Sequence, residues 1–147
     1  MKDYFTLNIS STQLNNMNIL ALAHMGDGVY EVLCRGWLCS HELETIGNLH
    51  RATVNMVKAP AQAAAMKRLV PFLTEREAAV FRRGRNANVH QIPKNATRGE
   101  YAHATALEAL FGWLYLQGEK DRINQLFAVI MGETEDNQQQ EGTDDAT

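Results

Sequence analysis

The chain is short of cysteine, of proline and of long apolar runs, and each shortage rules something out. Its 147 residues hold two cysteines, Cys34 and Cys39. That separation fits neither a metal knuckle nor a redox pair, so free, reduced thiols are expected. Three prolines and no strand-like alternation leave helix as the dominant element. No uncharged apolar stretch reaches the roughly 18 residues of a membrane span. The opening segment, "MKDYFTLNISSTQLNN", lacks the apolar core and cleavage site of a secretory signal, so the expected location is the cytoplasm. The five histidines form no i, i+4 zinc pair, and Ser or Cys nucleophile motifs are missing.

Basic residues are missing in one place and acids in another. The last fifteen residues, "ETEDNQQQEGTDDAT", hold six acids and no Lys or Arg. They lack apolar periodicity, and a disordered acidic tail over 133–147 is expected. The formal charge of −3 therefore hides a basic body, because residues 1–132 hold fourteen basic against eleven acidic groups. From Arg82 to Arg98 there is no acid, and Arg82, Arg83, Arg85, Lys94 and Arg98 stand among Asn86, Asn88, His90 and Asn95. This stretch holds the longest connection inside the domain. Its composition suits a grip on phosphates and equally a solvated charged loop.

What is present is helical periodicity within a length that fits one domain, over 1–132. Asn18 is placed to cap a helix over about 19–39, and Ser40 the next, over about 41–57. Pro60 suits the first turn of a third helix, which Pro71 closes. Thr74 with Glu77 predicts a capping box before "EREAAVFRR", and Thr97 with Glu100 another before "YAHATALEALFGWLYLQ". After Gly118 comes a last helix, "EKDRINQLFAVIM". The fold class is all-α.

Two acids contradict the apolar character of their helices. Asp27 stands between Gly26 and Gly28 within "LALAHMGDGVYEVLCRGWL". Each mid-helix glycine costs about 1 kcal/mol relative to alanine, and an ionised acid buried there without a partner costs several more. Glu108 is the single charge in "ATALEALFGWLYL", with Gly112 one turn later able to admit another helix or a ligand. If the helices pack together, the two carboxylates meet at one point. A hard divalent cation is then the natural partner, since Mg²⁺ takes oxygen ligands and needs only one or two protein carboxylates beside water and substrate phosphates. The competing account is satisfaction by Arg35, Arg51, Tyr30 or His103. Glu31, one turn after Asp27, is expected to pair with Arg35.

In order along the chain, "QLNNMNILALAHMGDGVYEVLCR", "LHRATVNMVKAPAQA", "RRGRNANVHQIPKNA" and "YAHATALEALFGWLYL" resemble the Mini-ribonuclease III family, over most of residues 13–130. The resemblance implies a ribonuclease III catalytic fold acting as a homodimer. It also implies Mg²⁺-dependent cleavage of double-stranded RNA to 5′-phosphate and 3′-hydroxyl ends, on a stem of precursor large-subunit (23S) ribosomal RNA. Asp27 and Glu108 fall on the family's catalytic metal ligands, and the Arg82–Lys94 loop becomes a candidate for RNA contact. Larger ribonuclease III enzymes carry three further acids, where this chain has Leu20, Ala23 and Thr105. Nothing ordered is expected after about residue 132, so no counterpart of their appended RNA-binding domain is expected. Fewer acidic ligands imply weaker metal binding, with Thr105 at most a neutral hydroxyl near the site. The alternative is a non-catalytic duplex-RNA-binding protein that keeps the fold with a depleted site.

Overall fold

The structure, a computed structural model, describes residues 1–41, 45–87, 92 and 94–133. Seven α-helices follow in order: α1 (Ser11–Asn15), α2 (Ile19–Ser40), α3 (Ile46–Val57), α4 (Ala59–Leu69), α5 (Glu75–Arg85), α6 (Arg98–Leu116) and α7 (Lys120–Met131). A 3-10 turn over Val70–Phe72 separates α4 from α5. There is no strand among the described residues, and none of their helices is long and apolar enough to cross a membrane.

Helix α6 is the axis of the molecule. Eleven of its residues are buried, from Ala104 to Leu116, on nearly every side. A helix that is apolar all round belongs inside, and α2, α4, α5 and α7 pack around this one. Leu107, Leu110 and Phe111 are fully enclosed together with Leu22 of α2 and Met66 and Leu69 of α4. Each such side chain contributes about 1.5–3 kcal/mol by leaving water. Tyr30 sets its ring edge-on to Phe111 at 5.5 Å and to Phe127 at 6.1 Å, joining α2, α6 and α7.

Most helix starts lie where the capping residues indicate. The Asn18 side chain accepts from the Leu20 amide, and both capping boxes, Thr74/Glu77 and Thr97/Glu100, are closed in both directions. Ser40 is a correction. It is the last residue of α2 and donates its hydroxyl back to Trp37 O, 2.7 Å, while α3 begins at Ile46 with Thr45 capping the Asn48 amide. A serine at a helix end can bond backward to a carbonyl as well as forward to an amide, so its type alone does not set the direction. Helix α1, capped by Ser10, is a single short element that periodicity does not reveal.

Helix α5 is tied to α7 by an ion pair absent from the sequence reading. Glu77, 3% exposed, accepts from Arg122 Nε at 2.9 Å and Nη2 at 2.8 Å, and the same Nη2 donates to Phe72 O at 2.7 Å. Cys34 is buried, Cys39 exposed, and both are free thiols. Glu133, the first residue of the expected tail, accepts from Trp37 Nε1 at 2.9 Å. The rest of that tail, 134–147, lies outside the described residues.

Candidate active site

The geometry begins with missing side chains. A Cβ on Gly26 would run into the carbonyl of Glu108 and lie 2.8 Å from Gly112 N, and one on Gly112 would strike the Leu22 carbonyl. Helices α2 and α6 therefore cross backbone to backbone at Gly26, Glu108 and Gly112. Glycine tolerates that approach and no other residue does. This crossing accounts for two of the glycines that are unfavourable in a helix taken alone. Gly28 is different, since a Cβ there would meet nothing within 4 Å.

The crossing brings the two acids together. Asp27 follows Gly26 directly on α2, and its negative charge acts on the Glu108 carboxyl of α6. Glu108 is pushed up to about 7, first by burial and then by Asp27, against the lowering effect of the Gln62 amide. Asp27 itself is exposed. The desolvation expected of Asp27 thus falls on Glu108, while Asp27 sits at the mouth of the site.

The competing partners are engaged elsewhere. Arg35 pairs with Glu31 at 3.2 Å, the i, i+4 contact the sequence predicts. Arg51 donates to Asn48, Tyr30 is buried between aromatic rings, and His103 Nδ1 bonds Gly99 O at 2.9 Å. Thr105 donates its hydroxyl to Tyr101 O at 2.9 Å, satisfying it within its own helix. Leu20 is 43% exposed and Ala23 is buried.

Asp27 and Glu108 stand on the two crossing helices, and no arginine is among the groups that act on the Glu108 carboxyl, so the two offer hard oxygen donors. Burial first and the Asp27 charge second raise Glu108, and a cation beside both carboxylates would relieve the second effect. No group of three or more acidic, histidine or cysteine ligands occurs among the described residues. The donor set therefore fits a cation that keeps several waters, as Mg²⁺ does, and not a closed structural site.

The sequence reading missed Gln62. It lies on α4, 2% exposed, and its side chain acts on Glu108 to lower its carboxyl. A lone amide in the apolar run "APAQAAAMKRL" was the available signal.

The basic groups lie in two sets. Arg82, Arg83 and Arg85 occupy the exposed last turn of α5, Asn86 caps it, Lys94 is exposed in the following loop and Arg98 opens α6. Asn88 and His90 lie outside the described residues. A second set was not singled out: residues 45–74 hold no acid, and Asn48, Arg51, Asn55 and Lys58 are all exposed at helical spacing along α3. Lys58 leads into α4, one turn before Gln62.

Comparison with known proteins gives the family. A Ribonuclease III domain model matches residues 20–119. Mini-ribonuclease 3 of Clostridium tetani is 35% identical over 144 residues, 97% of this chain and 95% of that protein. Mini-ribonuclease 3 of Symbiobacterium thermophilum is 45% identical over 107 residues, covering 73% and 82% respectively. A crystal structure of a Fusobacterium nucleatum protein superposes with a TM-score of 0.74 at 27% identity, over 80% of this chain and 95% of that one. An all-helical body, an acid on each of the two helices that cross at the glycines and these matches over most of its length put the chain in the ribonuclease III family of endoribonucleases, among its Mini-ribonuclease III members.

Proposed function

We propose that this ribonuclease III-type endonuclease cuts double-stranded RNA with Mg²⁺ in the cytoplasm, as a homodimer, and that its substrate is a stem of precursor large-subunit (23S) ribosomal RNA. The observation that carries the metal reading is the Asp27–Glu108 pair, brought together by the Gly26–Gly112 crossing and free of arginine. A bound Mg²⁺ supplies a water activated at neutral pH and counter-charge for the phosphate oxygens. Asp27 and Glu108 would hold it. Hydrolysis at such a site adds the water oxygen to phosphorus and releases O3′ with a proton, leaving 5′-phosphate and 3′-hydroxyl ends.

The remaining residues hold the duplex. An A-form helix is read mainly through phosphates and 2′-hydroxyls. Arg82, Arg83, Arg85, Asn86, Lys94 and Arg98 form one basic edge, and the α3 row from Asn48 to Lys58 offers a second. A duplex has two strands and this chain has one acid pair, so cutting both strands in one encounter needs two copies. The Val32 side of α2 supports a second copy there: Val32 is 70% exposed and shares an apolar hollow with Phe5, Val29 and Ile123.

The test is Asp27→Asn with a duplex RNA carrying the paired ends of the ribosomal precursor, in Mg²⁺ or in EDTA. Cleavage by the parent in Mg²⁺ is expected to fall at least a thousandfold in the variant, with duplex binding kept. A variant that cuts as well as the parent removes Asp27 from the chemistry.

A further inference from the structure

We propose that the acidic segment 134–147 docks on the basic row of α3 and competes there with duplex RNA, so that the chain carries its own counter-charge for one of its two RNA edges. The inference rests on the reading of α3 as an RNA edge given above and adds a ligand from within the chain.

Contacts on both sides of Gly132 fix where the segment leaves the body. Helix α7 closes on Gly132 in the left-handed region, φ 70°. Just before it, Arg68 of α4 donates to Ile130 O at 2.7 Å; just after it, Trp37 Nε1 of α2 donates to Glu133 Oε1 at 2.9 Å. His41 stacks on Trp37 with ring centroids 3.7 Å apart and brings Nε2 to 4.0 Å from the same Glu133 oxygen. The first acid of the run is thus already held, at the C-terminal end of α2.

That exit chooses between the two basic edges. Helix α3 begins at Ile46, five residues after His41, and Arg35 and Leu38 of α2 share a hollow with Ile46, His50 and Thr53 of α3. The other edge is at the opposite end of α2, where Arg83 reaches Met17 O. The 22 residues of α2 put about 33 Å between its ends.

Charge makes α3 the matching surface. Among the described residues neither Arg51 nor Lys58 has a carboxylate partner, and Arg51 donates to the neutral Asn48, whereas Arg35 and Arg122 are paired with Glu31 and Glu77. Residues 45–74 hold no acid, while 134–147 hold Glu135, Asp136, Glu141, Asp144 and Asp145 and no base. Fourteen residues reach at most about 50 Å and the twelve of α3 span about 18 Å, so the acids can cover the whole row. Each exposed pair is weak, but a tether keeps the carboxylates at high local concentration. Duplex RNA must displace them to reach Arg51 and Lys58, so the segment lowers RNA affinity in dilute salt and ceases to act in concentrated salt.

The experiment compares the full chain with a full-length variant carrying Glu135→Gln, Asp136→Asn, Glu141→Gln, Asp144→Asn and Asp145→Asn. Without RNA, the ¹⁵N amide signals of residues 46–58 are expected to differ between the two at about 50 mM NaCl, at every protein concentration, and to coincide at about 0.5 M. Signals of residues 82–86 are expected to coincide throughout. In an Asp27→Asn background, where the RNA stays intact, the neutralised chain is expected to bind duplex RNA about fivefold tighter at about 50 mM NaCl, and Arg51→Ala with Lys58→Ala to remove most of that difference. Coincident α3 signals overturn the proposal, as do differences that fall on residues 82–86 instead or that fade on dilution, which would place the segment on a second copy. Equal RNA affinities overturn it as well. If the α3 signals differ but neither chain binds duplex RNA, the RNA reading falls and the docking stands; if the α3 signals coincide while the parent cuts duplex RNA in Mg²⁺, this inference alone falls.

Discussion

Gly26 and Glu108 touch through their backbones, with no room between them for a single methyl group. The contact sets how far α2 and α6 approach and therefore how close Asp27 comes to Glu108. Gly26→Ala must push the helices apart at the centre of the molecule. Overpacking a core costs typically 1–3 kcal/mol, and here the obstacle is backbone, so a loss of about 3 kcal/mol or more is expected in urea unfolding. Gly36→Ala is the contrasting change: a Cβ there meets nothing within 4 Å, and a mid-helix alanine in place of glycine adds about 0.5–1 kcal/mol. Equal stability of the two variants would mean that the helices do not cross at Gly26.

The raised Glu108 carboxyl gives the protein a pH signature in the absence of divalent cations. Unfolded, this group titrates near 4.5; folded, burial and then Asp27 push it up to about 7 against the lowering effect of the Gln62 amide. Between those values the folded chain keeps a proton that the unfolded chain has released. The stabilising contribution is therefore complete below about pH 4.5 and is lost as pH rises through about 7, a change on the order of 3 kcal/mol. Glu108→Gln should remove that part of the slope, which urea unfolding of both proteins at pH 5 and pH 8 in EDTA would measure. Identical slopes in parent and variant would show that Glu108 ionises without hindrance.

Glu77 and Arg122 make the opposite prediction. Burial pushes the Glu77 carboxyl up, but the Arg122 hydrogen bond and the Thr74 amide outweigh it and leave the group below its ordinary value. Its contribution is present above about pH 4.5 and is lost as pH falls through the folded value. Arg122→Met strands a carboxylate that is 3% exposed and is expected to cost about 3–5 kcal/mol at pH 7, whereas adding Glu77→Gln should return most of it. The double variant would need to be as unstable as Arg122→Met for this account to fail.

How far the sequence was legible follows from how local each feature is. Capping boxes at Thr74/Glu77 and Thr97/Glu100 are contained in four residues, and both form as read. The start of α3 at Thr45 was missed because Ser40 and Thr45 are both acceptable caps, and only tertiary packing chooses between them. The two acids stood out because each contradicted an apolar helix, yet which of them is buried depends on the crossing: Glu108 turns inward and Asp27 outward. The Glu77–Arg122 pair joins residues 45 apart, and no local pattern announces such a meeting.

The basic residues differ in how ready they are to meet a phosphate, and a salt titration can tell them apart. Arg85 lies over the Phe81 ring at 5.2 Å and Arg83 reaches Met17 O at 3.5 Å, so both guanidinium groups already have contacts within the chain. Arg82 and Lys94 are exposed. In an Asp27→Asn background, where the RNA stays intact, each of Arg82→Ala and Lys94→Ala should weaken duplex binding. Each should also make log K against log salt shallower by about 0.9, the signature of one lost phosphate contact. Combining them should roughly double the change, because the contacts are separate. Arg85→Ala should flatten the slope less and lower the melting temperature more, since it also removes a cation–π contact. Unaltered slopes in the Arg82 and Lys94 variants would move the RNA off this edge and onto the α3 row, where Arg51→Ala and Lys58→Ala would then have to carry the loss.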